Sequence, residues 1–217
     1  FGKLHEVYCA EAPPHMNPLA DDFPRELCGV PIDTDYRRMV QFELLLREES
    51  VPEADKIQLA LSLLYKQPVP GPMGAWVRLL WYYGCGQSSE QAQGDGKAAP
   101  PRLYDFETDA QRIYTAFLQC YRIDLQKEPL HWWKFHALLL YLPDTCVMGK
   151  AMYYRGLDVS TLKGAERKHA MRMKALFTLD KPKASTQAQR DREFLARIEK
   201  RRRYLEAQLA KQKRGEA

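Results

Sequence analysis

The chain has 217 residues, of which 45% are hydrophobic and 28% charged, with a formal net charge of +5. This is the balance of one globular domain with or without an extension, and it excludes wholesale disorder and collagen-like chains. The longest near-apolar run, Leu138 to Pro143, is far short of the ~20 residues a bilayer span needs, so no membrane role is expected.

The charge is unevenly placed. Residues 163 to 217 hold 17 Lys/Arg and 7 Asp/Glu, whereas residues 1 to 162 hold 16 Lys/Arg and 21 Asp/Glu. An acidic body with a basic tail points to a nucleic acid, an acidic protein or self-assembly. The cysteines (Cys9, Cys28, Cys85, Cys120 and Cys146) are odd in number and no two form C-x-x-C. This spacing predicts five free thiols in a reducing compartment, with neither a disulfide framework nor a Cys-based zinc site.

In chain order, residues 1 to 23 read as a flexible, Pro-rich lead-in. A minor β-hairpin is expected around residues 26 to 32, with Cys28-Gly29 as its turn. Asp33-Thr34-Asp35 offers N-caps to a helix carrying Met39, Phe42, Leu45 and Leu46. Ser50-Val51-Pro52-Glu53 reads as a capping box for a second helix, with Ile57, Ala60, Leu61 and Leu64 as its stripe. A third helix is expected from Met73 to Tyr83, ended by Gly84 and Gly86. Residues 87 to 101 are a long polar loop, expected to be mobile and dispensable for folding.

Asp105 is the expected N-cap of the next helix, with Glu107 and Asp109 in its first turn as dipole partners. Leu130 to Leu142 is apolar almost all round and should be central. A short helix follows over about Cys146 to Tyr154, and Ser160 is the expected cap of another running towards Leu179. Residues 187 to 213 predict one long polar helix that carries the basic cluster Lys200, Arg201, Arg202 and Arg203. Its stripe is interrupted by Arg202, which argues against a self-sufficient coiled coil. The fold class is therefore all-α: a compact multi-helix body over residues 24 to 180, a minor N-terminal hairpin and a basic helical tail over 181 to 217.

No catalytic order emerges. There is no G-x-S-x-G, H-E-x-x-H or P-loop, and no cofactor or enzymatic activity is expected. His131 and His136 lie about 140° apart around a helix, which does not suit a shared metal. Asp33/Asp35 and Asp105/Glu107/Asp109 fall at helix starts, where capping explains them, and the EF-hand alternative would need Gly where Ala110 stands. Aromatics are dense in two places, from Trp76 to Tyr83 and from Trp132 to Tyr141, the second with Trp132, Trp133 and Phe135. They read either as core or, because the adjacent indoles sit about 100° apart, with one Trp facing outward to anchor a partner.

Five strings carry a resemblance: Ile32-Asp33-Thr34-Asp35-Tyr36-Arg37, Tyr104-Asp105-Phe106-Glu107-Thr108-Asp109-Ala110, Ile113-Tyr114-Thr115-Ala116-Phe117, Leu130-His131-Trp132-Trp133-Lys134-Phe135, and Met152-Tyr153-Tyr154-Arg155-Gly156-Leu157-Asp158. In this order and spacing they resemble a family of phage and prophage structural-operon proteins from Gram-positive hosts, over residues 24 to 180. The gene of that family typically lies between those of the major tail protein and the tape-measure protein. The resemblance implies a helical, non-enzymatic tail assembly chaperone in the host cytoplasm. Its implied partners are the tape-measure protein, the major tail protein and further copies of itself. Two alternatives stand beside it: a nucleic-acid-binding protein using the basic tail, and a permanent tail or head–tail component of the virion.

Overall fold

The computed structural model describes residues 16–69, 71–86 and 101–179. The lead-in before residue 16, nearly all of the loop at 87 to 101 and the basic helix with Lys200, Arg201, Arg202 and Arg203 lie outside the described residues. The chain divides into two units, Phe1–Leu179 and Asp180–Ala217, and every described element belongs to the first.

The described residues form one two-stranded sheet and seven helices. Strands β1 (Glu26–Leu27) and β2 (Val30–Pro31) pair antiparallel, with Leu27 opposite Val30. Their turn is the expected one. Cys28 and Gly29 both take positive φ, 55° and 69°, the twist that lets a two-residue connection match a right-handed hairpin. So short a hairpin is not stable alone. It is held because Leu27 and Val30 are buried and because Lys66 N donates to Pro31 O, at 3.0 Å.

Helix α1 (Tyr36–Arg47) starts on Asp35, whose carboxylate accepts from Arg37 N at 2.9 Å. Helix α2 (Glu53–Leu64) does not use the expected capping box. Pro52 occupies the N-cap without a side-chain bond, and Ser50 instead donates through its Oγ to Glu48, at 2.7 Å. Ser50 lies two residues before the true N-cap, and Glu53 is taken by Lys56 at 2.8 Å. Helix α3 (Pro72–Tyr83) follows Gly71 and opens on Pro, which has no N–H to leave unpaired. It ends at Gly84, and the chain then turns at Gly86 with φ +83°, where a Cβ would meet the Trp133 ring at 3.2 Å.

Helix α4 spans Ala110–Tyr121, later than its sequence suggests. Asp105 does cap, but it caps a separate turn, accepting from Glu107 N and Thr108 N at 2.8 and 2.7 Å. Helix α5 (Trp132–Leu140) is central, and α6 (Val147–Gly156) and α7 (Gly164–Leu176) follow. Ser160 does not cap α7: its N–H donates to Asp158 at 2.9 Å, and Gly164 takes φ +58°, so the chain enters the helix after a break at that glycine.

The core is built around α5. Phe135 stacks on Tyr36 of α1 at 4.3 Å and on Phe117 of α4 at 4.9 Å. Helix α1 packs on α2 and α5, α2 on α3, α4 on α6, and α6 on α7. The expectation of five free thiols is corrected: Cys28 is disulfide-bonded, while Cys85, Cys120 and Cys146 are free. A disulfide depends on Cα proximity in space, which an odd count and scattered spacing do not exclude.

Candidate functional site

The aromatic cluster resolves as core. Trp132 is 0% exposed, and Trp133 and Phe135 are also buried. The adjacent indoles diverge as helical geometry requires, yet structure covers both sides of the helix. Trp132 Nε1 donates to Tyr83 O at 3.0 Å and its ring stacks on Tyr83, whereas Trp133 Nε1 donates to Tyr82 O at 2.9 Å and its ring meets Trp81 edge-on. The expectation that one Trp faces outward is therefore corrected. Two indole N–H groups instead satisfy consecutive carbonyls at the end of α3, where an α-helix leaves carbonyls without intrahelical partners.

The resembling strings meet in space. Tyr36 N donates to Leu130 O at 2.9 Å and Trp132 N to Thr34 O at 2.8 Å, so the starts of α1 and α5 are spliced backbone to backbone. Beside this splice lies an open cleft of about 630 Å³, with Arg25, Asp33, Asp35, Lys66 and His131 among its walls. Its carboxylates are already engaged. Asp35 pairs with Arg37 and Asp33 with Arg38, each at 2.7 Å.

His131 is the N-cap of α5. Its Nδ1 accepts from Trp133 N at 3.1 Å, and its Nε2 lies 2.9 Å from Pro24 O, an acceptor. That pattern requires the neutral Nε2–H tautomer, so His131 has no free lone pair for proton abstraction. Burial lowers its pKa, opposed by the Pro24 carbonyl, and burial lowers that of His136 as well. A histidine depressed on folding contributes stability that is complete above the unfolded value, about 6.5, and is lost as pH falls through the folded value. Unfolding free energy is thus expected to decline on acidification from pH 6.5. His131→Asn, which keeps a capping acceptor, should flatten that decline. An unchanged slope in urea titrations across this range would contradict the assignment.

Asp109 departs furthest from what its sequence position suggests. In place of an exposed dipole partner, the structure shows a side chain that is 0% exposed and forms a bidentate pair with Arg155 of α6, at 2.6 and 3.1 Å. Arg112 adds a bond at 2.7 Å, and Asp105 N donates to Asp109 Oδ2 at 3.1 Å. Arg155 also donates to Phe177 O at 2.6 Å and Leu103 O at 2.8 Å. Through Asp105 the network continues to Arg47 and Arg102, which both reach Glu43, whose other oxygen accepts from Tyr83 Oη at 2.7 Å. These groups join α1, α3, α4, α6 and the segment after α7. They form a clasp in which each charge is paired.

Burial pushes the Cys85 thiol up to about 12, which removes the thiolate at neutral pH. Among the described residues no group of His, Cys, Asp or Glu is placed to hold a metal ion, and no helix is long and apolar enough to cross a membrane.

What the body does offer is surface. On α3, Met73, Val77 and Leu80 are 65%, 57% and 39% exposed. Their i, i+4, i+7 spacing sets them in one stripe opposite the buried Ala75, Leu79 and Tyr82. On α7, Arg167, Lys168 and Arg172 are exposed around Met171, opposite the buried Ala170. The α3 stripe is detectable in the sequence as apolar excess, since the whole helix PMGAWVRLLWYY holds one charge.

A search of curated proteins gave no match, and neither did a search of solved structures. A family model, described as the bacteriophage Gp15 protein, matches residues 22–179. That range takes in all five strings, the α1–α5 splice and the Asp109–Arg155 clasp, so the chain belongs to the bacteriophage Gp15 protein family.

Proposed function

We propose that this phage protein is a non-enzymatic tail assembly factor: a chaperone that covers the tape-measure protein in the host cytoplasm until major tail protein subunits enclose it. The observation that carries the reading is the Met73–Val77–Leu80 stripe, an apolar row on α3 that the fold leaves exposed. A long helical chain that exposes apolar side chains before enclosure is met by such a face in helix-against-helix contact. Modest affinity per subunit, multiplied along the chain, holds the target and still permits release. The gene order implied by the resemblance supports the choice of partner.

Val77→Asp with Leu80→Asp tests it. Both positions are exposed, so the double variant should keep the wild-type melting curve to within about 0.5 kcal/mol per site. It should lose roughly 2 kcal/mol or more of binding to the tape-measure protein in co-purification. A folded variant that still co-purifies, or a wild-type protein that does not, would overturn the reading. Copy number in purified virions separates this role from that of a permanent tail component.

A further inference from the structure

Two of the thiols that are free among the described residues meet. Cys120 stands in the last turn of α4 and Cys146 is the N-cap of α6, and the two helices pack on each other. Tyr121, the neighbour of Cys120, pins the end of α4 to the end of α5. Its Oη donates to Leu138 O at 2.9 Å and reaches Tyr141 O at 3.5 Å. Just beyond, Cys146 Sγ donates to Pro143 O at 3.2 Å and accepts from Gly149 N at 3.3 Å. The Cys120 thiol completes the cluster with a hydrogen bond to Cys146. Cys120 is partly exposed and Cys146 is buried, so a reagent enters through Cys120.

We propose that Cys120 and Cys146 form a redox site, which a small-molecule disulfide converts from a dithiol to an intramolecular disulfide. Cys120, as its thiolate, attacks one sulfur of the small disulfide. The new S–S bond leaves Cys120 in a mixed disulfide and releases one small thiol. Cys146 then attacks the Cys120 sulfur, and the second small thiol departs. Two electrons and two protons pass from the cysteines to the small disulfide, which is reduced to two thiols. Gly149 N–H already donates to the Cys146 sulfur and stays on it when the proton leaves. The product ties the end of α4 to the start of α6. It closes a loop, residues 120 to 146, that contains the whole of α5, and such a cross-link removes freedom from the unfolded chain. The site goes beyond the chaperone role and does not rest on it.

The test equilibrates the full-length protein with oxidised glutathione, blocks remaining thiols with an alkylating reagent and digests with trypsin. Peptides 113–122 and 135–150 should appear joined. Cys85, whose thiol burial keeps protonated, should carry the alkyl group and serves as an internal control. Cys146→Ser, which keeps a capping oxygen, should stop at a glutathione adduct on Cys120. Cys120→Ser should leave Cys146 a thiol. Oxidised wild type should unfold at higher urea than untreated protein, with a folding equilibrium constant raised at least about tenfold, and both variants should lack this shift. Wild type that stops at an adduct on Cys120, a disulfide between two chains, a link to Cys85, or an oxidised form no more stable than the untreated one would each overturn the inference. So would a glutathione adduct on Cys146 in the Cys120→Ser variant, since the reagent would then enter at the other sulfur.

Discussion

Arg155→Met is expected to lower the unfolding free energy by about 3–5 kcal/mol, the usual cost of breaking a buried ion pair from one side. The substitution keeps most of the aliphatic volume, so packing is not the main loss. It leaves Asp109 in the interior with only Arg112 and one backbone N–H. It also strips the donors from Phe177 O and Leu103 O, the bonds that tie the chain after α7 and the segment before α4 to α6. Against a typical total of about 5–15 kcal/mol, such a loss is a large share of the stability. Urea denaturation should show a lower midpoint with an unchanged slope. Arg155→Met with Asp109→Leu should recover part of the loss, because removing both charges also removes the desolvation cost. A single variant within about 0.5 kcal/mol of wild type would show that the clasp contributes little.

The same pair sets an acid limit. Burial alone would raise the Asp109 carboxyl, but the hydrogen bonds from Arg155 and Arg112 outweigh it and hold the pKa below its ordinary value. A carboxylate depressed on folding contributes stability that is present above its unfolded value, about 3.9, and lost as pH falls through the folded one. The Arg155→Met variant should lose less stability than wild type over that range.

Trp132→Ala carries the second large effect, again about 3–5 kcal/mol. The ring is fully buried between Tyr83 and Phe135. Its removal opens a cavity that a helix packed on several sides is poorly placed to close, and it leaves Tyr83 O with only the weak Cys85 thiol donor, 3.9 Å away. Trp132→Phe should cost less, since it keeps much of the aromatic contact and loses chiefly the hydrogen bond. A Trp132→Ala protein with a wild-type melting temperature would contradict its place in the core.

The helical class, the hairpin with its turn, and α1 to α3 are legible in the sequence because their signals are local. The Cys28-Gly29 turn, the Asp35 cap and the apolar spacing of Met39 and Phe42 all act within one turn of chain. Legibility ends where two local signals compete or the deciding contact is distant. Ser50 and Ser160 satisfy a capping pattern on paper, but Pro52 and Gly164 fix where the backbone can turn helical. Asp109 lies in an acid-rich string suited to a helix start, and nothing nearby reveals that its partner is 46 residues away. The indoles are ambiguous in sequence because an all-round apolar helix has no preferred side until its neighbours are placed. The α3 stripe shows in the sequence only as an apolar excess, since apolar residues with no partner look like core.

The splice between Thr34–Tyr36 and Leu130–Trp132 has a consequence for synthesis on the ribosome. Each segment supplies the other's backbone hydrogen bonds, so neither helix start is complete until both have emerged. At about 5–20 residues per second, roughly a hundred intervening residues delay that closure by ~5–20 s. Meanwhile α1 to α3 wait with Tyr36, Tyr82 and Tyr83 lacking their α5 partners, and many ribosomes make the chain at once. Crowded polysomes would then hold many half-built bodies with open apolar faces, at the stage where nascent chains are most prone to join one another instead of themselves.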